Sequence, residues 1–303
     1  MQSINYYLKH RDVLSNVILV NIFSWLPDSV YLKIRFKRKM GYKLNLKNPK
    51  SFSEKLQWQK LYDRRPEYTM MVDKVKVKEF VASKIGEQYV IPTLGVWEYP
   101  DQIDFDALPE RFVLKVNHNS GTGMYICKDK NKMNVEKVRA ELRKGLKENY
   151  YKKNREWPYK DVPRRAFAEA YMEDEFGELR DYKFFCFDGE VKALFIASDR
   201  SKGEHAVKFD YFDADFNHLP FTNGHPNAGV PPKKPKSFEE MKRLAAVLSK
   251  GIPQVRIDFY DVNGKPYFGE MTFFHWSGMM PYDPIEWDYK FGEWIHLPID
   301  GKK

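Results

Sequence analysis

Three observations predict an α+β fold with antiparallel hairpins. Helical spacing dominates the first third of the chain. From "RFVLKV" (residues 111–116) onward, strand-like runs rich in aromatic and β-branched residues take over. Successive runs are joined by tight-turn signals such as "FDGE" and an Asn-Gly pair. At 303 residues and 43% hydrophobic, the chain has apolar material for one large domain or two intimate ones.

Taken in order, "VLSNVILVNIFSWL" (13–26) is the most apolar run. It is shorter than the roughly 20 residues a bilayer span needs and is interrupted by Asn16, Asn21 and Ser24. The expectation is a helix packed on the domain, with a membrane-surface helix as the alternative; no small-residue cleavage site of a secretory leader follows it. Ser51 with Glu54 forms a capping box opening "SFSEKLQWQKLYDRR". "DKVKVKEFVASKIG" reads as a helix stopped by Gly86. "RFVLKV", the glycine-containing "NHNSGTGM" and "YICKD" read as strand, loop, strand, which is not the strand-to-helix setting of a Walker or Rossmann loop. Helical spacing returns over 134–151, and "FAEAYMED" and "DYKFFCFDGEVKALFIAS" are strands. After the proline-rich "HPNAGVPPKKPK", a second capping box, Ser237 with Glu240, opens a helix stopped by Gly251.

The net charge of +9 is local. Residues 1–65 hold 14 Lys and Arg against 4 Asp and Glu, whereas the remainder is close to balanced. A basic N-terminal region suits an anionic partner, such as lipid headgroups, an acidic polymer or nucleic acid, and equally a solvated helix face. Two cysteines, Cys127 and Cys186, exclude a disulfide framework and a cysteine-rich zinc site. The expected location is the cytosol, extending to the inner face of the membrane.

The densest chemistry lies in "VRIDFYDVNGKPYFGEMTFF" (255–274). A three-residue loop closed by Gly264 would pair Asp261 with Lys265 and set Asp258 opposite Phe268 and diagonal to Glu270. Arg256, Asp258, Glu270 and Thr272 would then share one face. A two-residue Asn-Gly turn would put Asp258 and Glu270 on opposite faces, so the arrangement depends on loop length. Two converging carboxylates need a cation between them, and hard oxygens suit Mg²⁺ carrying phosphate. Arg256 could hold a phosphoryl oxygen through its planar fork. Spacing alone leaves a solvent-facing strand edge equally open.

Lys115 ahead of Ser120, Gly121 and Gly123 suits a phosphate cradle, as an ordinary hairpin tip would also look. Lys74 could be a further phosphate ligand or a surface lysine. Main-chain groups near Ala170 and Met172 could meet an adenine edge, and Asp181 could accept from ribose hydroxyls.

In this order the three groups resemble the ATP-grasp superfamily. More narrowly, "NPKSFSEKLQWQKLYDRRP", "FVLKVNHNSGTG", "DYKFFCFDGEVK" and "FGEMTFFHWSGM" resemble the teichuronopeptide-biosynthesis (TupA-like) ATP-grasp proteins of bacterial surface-polysaccharide loci, over roughly residues 30–298. The resemblance implies two α+β lobes clasping ATP: a helical basic region (1–65), a first lobe with the glycine loop (66–168) and a second with the metal hairpin (169–303). Lys74 and Lys115 would bind ATP phosphates under Ser120–Gly123. Glu169, Tyr171 and Met172 would lie at the adenine hinge, with Asp181 at the ribose and Lys183 facing the nucleotide. Asp258, Glu270 and Thr272 would attend Mg²⁺, and Arg256 the transferred phosphoryl group. Thr272 departs from the Asn that many ATP-grasp ligases carry there.

The implied chemistry is ADP-forming ligation. A substrate carboxylate attacks the γ-phosphate of ATP, and an amine then displaces phosphate from the acyl phosphate. The implied partners are a carboxylate-bearing sugar or glycan and an amine or amino acid, and no nucleic acid is expected. No Ser-His-Asp-type triad is evident. "HWSGMMPYDP" would line the acceptor pocket through His275, Ser277 and Gly278, although His275 reads equally well as a core residue. The competing class is a glycosyltransferase using the Asp213-x-Asp215 pair on a sugar nucleotide.

Overall fold

The computed structural model describes Val20, Phe23 and residues 25–174, 179–199 and 206–298. Most of the apolar run 13–26 lies outside the described residues.

Where it is described, the basic N-terminal region holds two helices joined by a loop. Helix α1 (Asp28–Met40) ends on Gly41 in the left-handed region, with Lys37, Arg38 and Lys39 beside its exposed carbonyls. Helix α2 (Phe52–Tyr62) opens with the expected capping box: the Ser51 hydroxyl accepts from the Glu54 amide at 3.2 Å, and the Glu54 carboxylate accepts from the Ser51 amide at 3.3 Å. Short α3 (Glu67–Val72) and α4 (Val77–Ile85) follow, then α5 (Val135–Lys147), α6 (Tyr150–Asn154), α7 (Phe238–Ser249) and α8 (Glu286–Glu293).

The strands are β1 (Thr93–Trp97), β2 (Phe112–Val116), β3 (Tyr125–Cys127), β4 (Ala166–Ala170), β5 (Asp181–Phe187), β6 (Glu190–Ser198), β7 (Lys208–Asp213), β8 (His218–Leu219), β9 (Thr222–Asn223), β10 (Val255–Val262), β11 (Lys265–Thr272) and β12 (Tyr282–Asp283). They form a four-stranded sheet in the order β1-β4-β2-β3, a six-stranded sheet in the order β11-β10-β5-β6-β7-β8, and a β12-β9 pair. Neighbouring strands run antiparallel. The hairpin expected around the glycine loop is β2–β3, paired from Phe112↔Cys127 to Leu114↔Tyr125.

Each sheet has its own core. The smaller buries Phe112, Leu114, Ala166 and Ala168 against Val138 and Leu142 of α5. The larger buries Phe184, Leu194, Ile196 and Ile257 with Met241, Leu244 and Leu248 of α7. Phe52 and Leu56 of α2 and Val77 and Val81 of α4 also join the larger core. In packing, then, α4 goes with the second sheet although it precedes the first in sequence. Both cysteines are buried and free.

Ser237 does not cap α7 through its side chain. Its hydroxyl donates to Asp261 instead, and Glu240 is taken by the Tyr89 hydroxyl and Arg243. A tertiary partner displaced the local one.

Candidate active site

The β10–β11 hairpin turns on two residues, because Val262 pairs with Lys265 around Asn263 (φ 55°) and Gly264 (φ 84°). That is the Asn-Gly geometry whose left-handed pair matches strand twist, and it replaces the three-residue loop expected from the sequence. Phe259 pairs with Phe268 while Asp258 pairs with Glu270, so Gly269 is one extra residue in β11. This β-bulge restores the parity that the short turn removes. Asp258 therefore faces Glu270 directly, where Phe268 had been expected. Arg256, paired with Thr272, lies on the same face.

The larger sheet extends that face. Asp258 is flanked by Lys183 of β5, and beyond it come Phe195 of β6 and Tyr211 of β7. The Arg256 guanidinium grips Asp258 with Nε to Oδ1 and Nη2 to Oδ2, both at 2.7 Å, the bidentate fork that favours carboxylate. Nη2 also reaches Glu270 Oε1 at 3.2 Å and Thr272 Oγ1 at 3.0 Å. Lys183, which the sequence left without a partner, donates to Asp258 Oδ2 at 2.5 Å and lies 3.5 Å from Asp181. Lys74 sits 3.6 Å from Glu270 Oε2 and donates to the Asn119 carbonyl at 2.7 Å.

Burial opposes charge on Glu270, but Lys74, Lys183 and Arg256 together pull its carboxyl down to about 2. Its side chain keeps 31% exposure, so it is deep yet open to the cleft. Burial likewise opposes the Arg256 charge, and Asp258 outweighs it, raising the guanidinium above its usual value.

His275 is buried, and its Nδ1 stands 2.8 Å from Arg256 Nη1. A guanidinium only donates, so Nδ1 accepts, and Nε2–H donates to Asn223 Oδ1 at 3.1 Å. Asn223 in turn donates to the carbonyls of Met280 and Pro281. Burial, then the nearby Arg256 and Lys183, hold the imidazole well below its ordinary value, and therefore neutral. His275 stands behind Arg256 and orients it.

Ser277 and Gly278 also face inward. The amide of Ser277 is used by the Phe274 carbonyl at 2.7 Å. The Ser277 and Gly278 carbonyls accept from Gln57 at 2.9 and 3.0 Å, and Lys60 donates to the Ser277 carbonyl and hydroxyl at 2.8 and 2.7 Å. Of the donors expected for an intermediate, the Ser277 amide is thus taken within its own turn, and α2 anchors that turn through its carbonyls and the Ser277 hydroxyl oxygen. Lys60 is fully buried; burial lowers its ammonium, opposed by Glu156, whose own buried carboxyl is raised. Sequence reasoning missed both residues, which lie 96 positions apart with no local pattern to mark them.

At the other end, Lys115 and Lys78 clasp Glu169 at 2.6 and 2.7 Å. Burial would raise the Glu169 carboxyl, and the two lysines hold it low instead. Lys78 was also missed, although it follows Lys74 by one helical turn in "DKVKVKEF". Glu169 borders a cavity of about 390 Å³ walled by Ile91, Val113, Met124, Tyr171, Met172 and Tyr260. Its walls also carry Lys115, Lys128, Arg180 and Asp199, so a mainly apolar floor of small-ligand size is rimmed by charge. Asp181 is not among the cavity walls, although its strand partners Tyr260 and Ala197 are; its carboxylate lies 3.5 Å from Lys183. The glycine loop packs against α5: the Gly123 amide donates to Glu141 at 3.2 Å, Ser120 and Gly121 are exposed, and Gly123 (φ 70°) leaves no room for a Cβ, which would meet the Gly145 Cα at 2.9 Å. Asp213, by contrast, uses its carboxylate inside its own turn, accepting from the amides of Asp215 and Asn217 at 2.9 and 2.8 Å.

A profile described as TupA-like ATPgrasp matches residues 54–296. The chain belongs to the TupA-like ATP-grasp family. Its α+β fold resembles those of ATP-grasp ligases. Among solved structures, a D-alanine–D-alanine ligase from Bacillus anthracis complexed with ATP is 15% identical, covering 67% of this chain and 53% of its own, with a TM-score of 0.40. The D-cycloserine synthetase DcsG is 14% identical, covering 76% and 70%, at 0.44. The ATP-grasp ligase PsnB, complexed with minimal precursor, Mg and ADP, is 11% identical, covering 73% and 57%, at 0.39. The chain spans little more than half the length of the first and third of these. No curated protein matches it.

Proposed function

We propose that this family member is an ATP- and Mg²⁺-dependent, ADP-forming carboxylate–amine ligase. Its substrates would be a uronic-acid carboxylate and an amine, such as that of an amino acid, in the synthesis of a bacterial capsule or related surface polysaccharide. The reading rests on one observation above the others: two carboxylates, Asp258 and Glu270, face each other across a hairpin and are ringed by Arg256, Lys183 and Lys74. The polysaccharide context rests on the family resemblance.

The donor set fits Mg²⁺. Among the described residues no three His, Cys, Asp or Glu side chains could cage a metal by themselves. Mg²⁺ ordinarily takes one or two protein carboxylates and completes its shell with phosphate and water, which matches a facing Asp and Glu. When bound, it would neutralise charge on the triphosphate.

Other residues divide the remaining work. The 390 Å³ cavity would take the adenine, with Tyr171 and Met172 at its wall. Lys115 would exchange Glu169 for a phosphate, leaving Lys78 to keep that carboxylate paired. Lys74, which precedes α4 and reaches the Asn119 carbonyl beyond β2, would do the same with Glu270. A carboxylate oxygen of the substrate then forms a bond to the γ-phosphorus as the bridging P–O bond breaks and ADP leaves. Arg256, fixed from behind by His275, faces the transferred group. A neutral amine next attacks the acyl carbon, inorganic phosphate departs, and the amine loses a proton to solvent. No protein nucleophile is required.

The test is product analysis with purified protein, ATP, Mg²⁺ and panels of uronates and amino acids. ADP release should require both a carboxylate and an amine, and hydroxylamine in place of the amine should trap the acyl phosphate as a hydroxamate. AMP with pyrophosphate would exclude this chemistry.

A further inference from the structure

We propose that α1 and the segment leading into it form a docking surface for an anionic lipid bilayer. Phe23, Trp25, Val30 and Ile34 are 39%, 74%, 42% and 39% exposed, so four large apolar side chains lie bare within twelve residues. The inner side of α1 is fully committed, because Tyr31, Leu32 and Phe36 are buried with Leu44 and Met279. At about 100° per residue, Val30, Lys33, Ile34 and Lys37 occupy one arc on the opposite side. The outward face therefore alternates apolar and cationic residues.

Charge selects the occupant. Between residues 25 and 50 the exposed lysines are Lys33, Lys37, Lys39, Lys43, Lys47 and Lys50. The lone acid in that stretch, Asp28, is already engaged by Tyr151 at 2.7 Å, Arg64 at 3.0 Å and Arg155 at 3.2 Å. A soluble polyanion would answer the lysines and leave the apolar groups in water. A second copy of the chain would cover the apolar groups but bring lysine against lysine. Anionic headgroups above acyl chains satisfy both, with Trp25 suited to the boundary between them. No helix among the described residues is long and apolar enough to cross a membrane, so the contact is peripheral.

Docking would bear on the reaction centre, because Met279, packed under α1, follows the Ser277–Gly278 turn beside Arg256 and His275. A bound lipid surface would thus lie on the side of the molecule where that turn is anchored.

Co-sedimentation of the full chain with vesicles of phosphatidylcholine, alone and with phosphatidylglycerol, tests this. Binding should appear with phosphatidylglycerol, weaken with salt, and fall at least about tenfold in Lys33→Glu/Lys37→Glu and in Ile34→Asp. Both variants should melt like the parent, since neither side of the change touches the core. Trp25→Phe should remove a lipid-induced blue shift in tryptophan emission. The proposal is overturned by vesicle binding that ignores these substitutions, by no vesicle binding, by retention on a soluble polyanion alone, or by Ile34→Asp converting a dimer into a monomer.

Discussion

Asp258 and Glu270 face each other because Gly269 adds one residue to β11, so that a two-residue turn and a bulge together return both carboxylates to one side of the sheet. Deleting Gly269 leaves the Asn263–Gly264 turn intact and straightens β11 into a regular register in which Glu270 still pairs with Asp258 and Thr272 with Arg256. Nucleotide binding in the presence of Mg²⁺ should then survive, as measured by calorimetric titration. Loss of binding with the far-UV strand signal retained would mean that the local twist of the bulge, beyond the facing pair itself, sets the site.

Asp258→Asn preserves shape but removes charge from the facing pair and leaves a single oxygen to accept from Arg256 or Lys183. The expected loss is about 10²–10³-fold in the rate of ADP release, the scale seen when one preorganised electrostatic contact is removed. A variant that stays folded and equally active would take Asp258 out of the chemistry.

How much of this was legible beforehand depends on how local each signal is. Arg256, Asp258 and Glu270 stood out because charged residues at strand spacing interrupt apolar runs, and the family resemblance put Lys115 and its glycine loop in the same frame. Their shared face was foreseen, but for the wrong reason: strand propensity does not announce a bulge at Gly269. Ser237 matched a capping pattern, yet Asp261, 24 residues away, claimed its hydroxyl. Lys60, Glu156 and Gln57 were invisible because each looks like an ordinary polar residue until α2 meets the turn at 276–278.

Lys60 and Glu156 supply a stability prediction. Lys60→Met removes the hydrogen bonds to Gln57 and Ser277 and the positive charge whose field opposes burial at Glu156. It should cost about 1–3 kcal/mol, the range for leaving buried polar groups unsatisfied. Lys60→Met/Glu156→Gln should recover part of that in urea unfolding, giving a coupling energy in a double-mutant cycle. Additive losses would argue that the two do not interact.

Acid should weaken the fold in two stages. His275 is held neutral well below 6.5, so the unfolded chain takes up a proton there before the native one does, and stability falls as pH drops below about 6.5. His275→Gln, which can still accept from Arg256, should flatten that slope by up to about 1.4 kcal/mol per pH unit in urea titrations between pH 7 and 5. Glu270 contributes stability above 4.5 that is lost as pH falls toward about 2. A His275→Gln profile that overlays the parent would show that this imidazole is not the group being protonated.

The central claim is that Asp258 and Glu270 hold the metal that carries the triphosphate. Titrating ATP into the protein with saturating Mg²⁺ tests it most directly, comparing the parent with Asp258→Asn/Glu270→Gln. The parent should bind, and the double variant should bind at least about 100-fold more weakly, with the two affinities converging once Mg²⁺ is chelated. Equal affinities for the two proteins in the presence of Mg²⁺ would contradict the account.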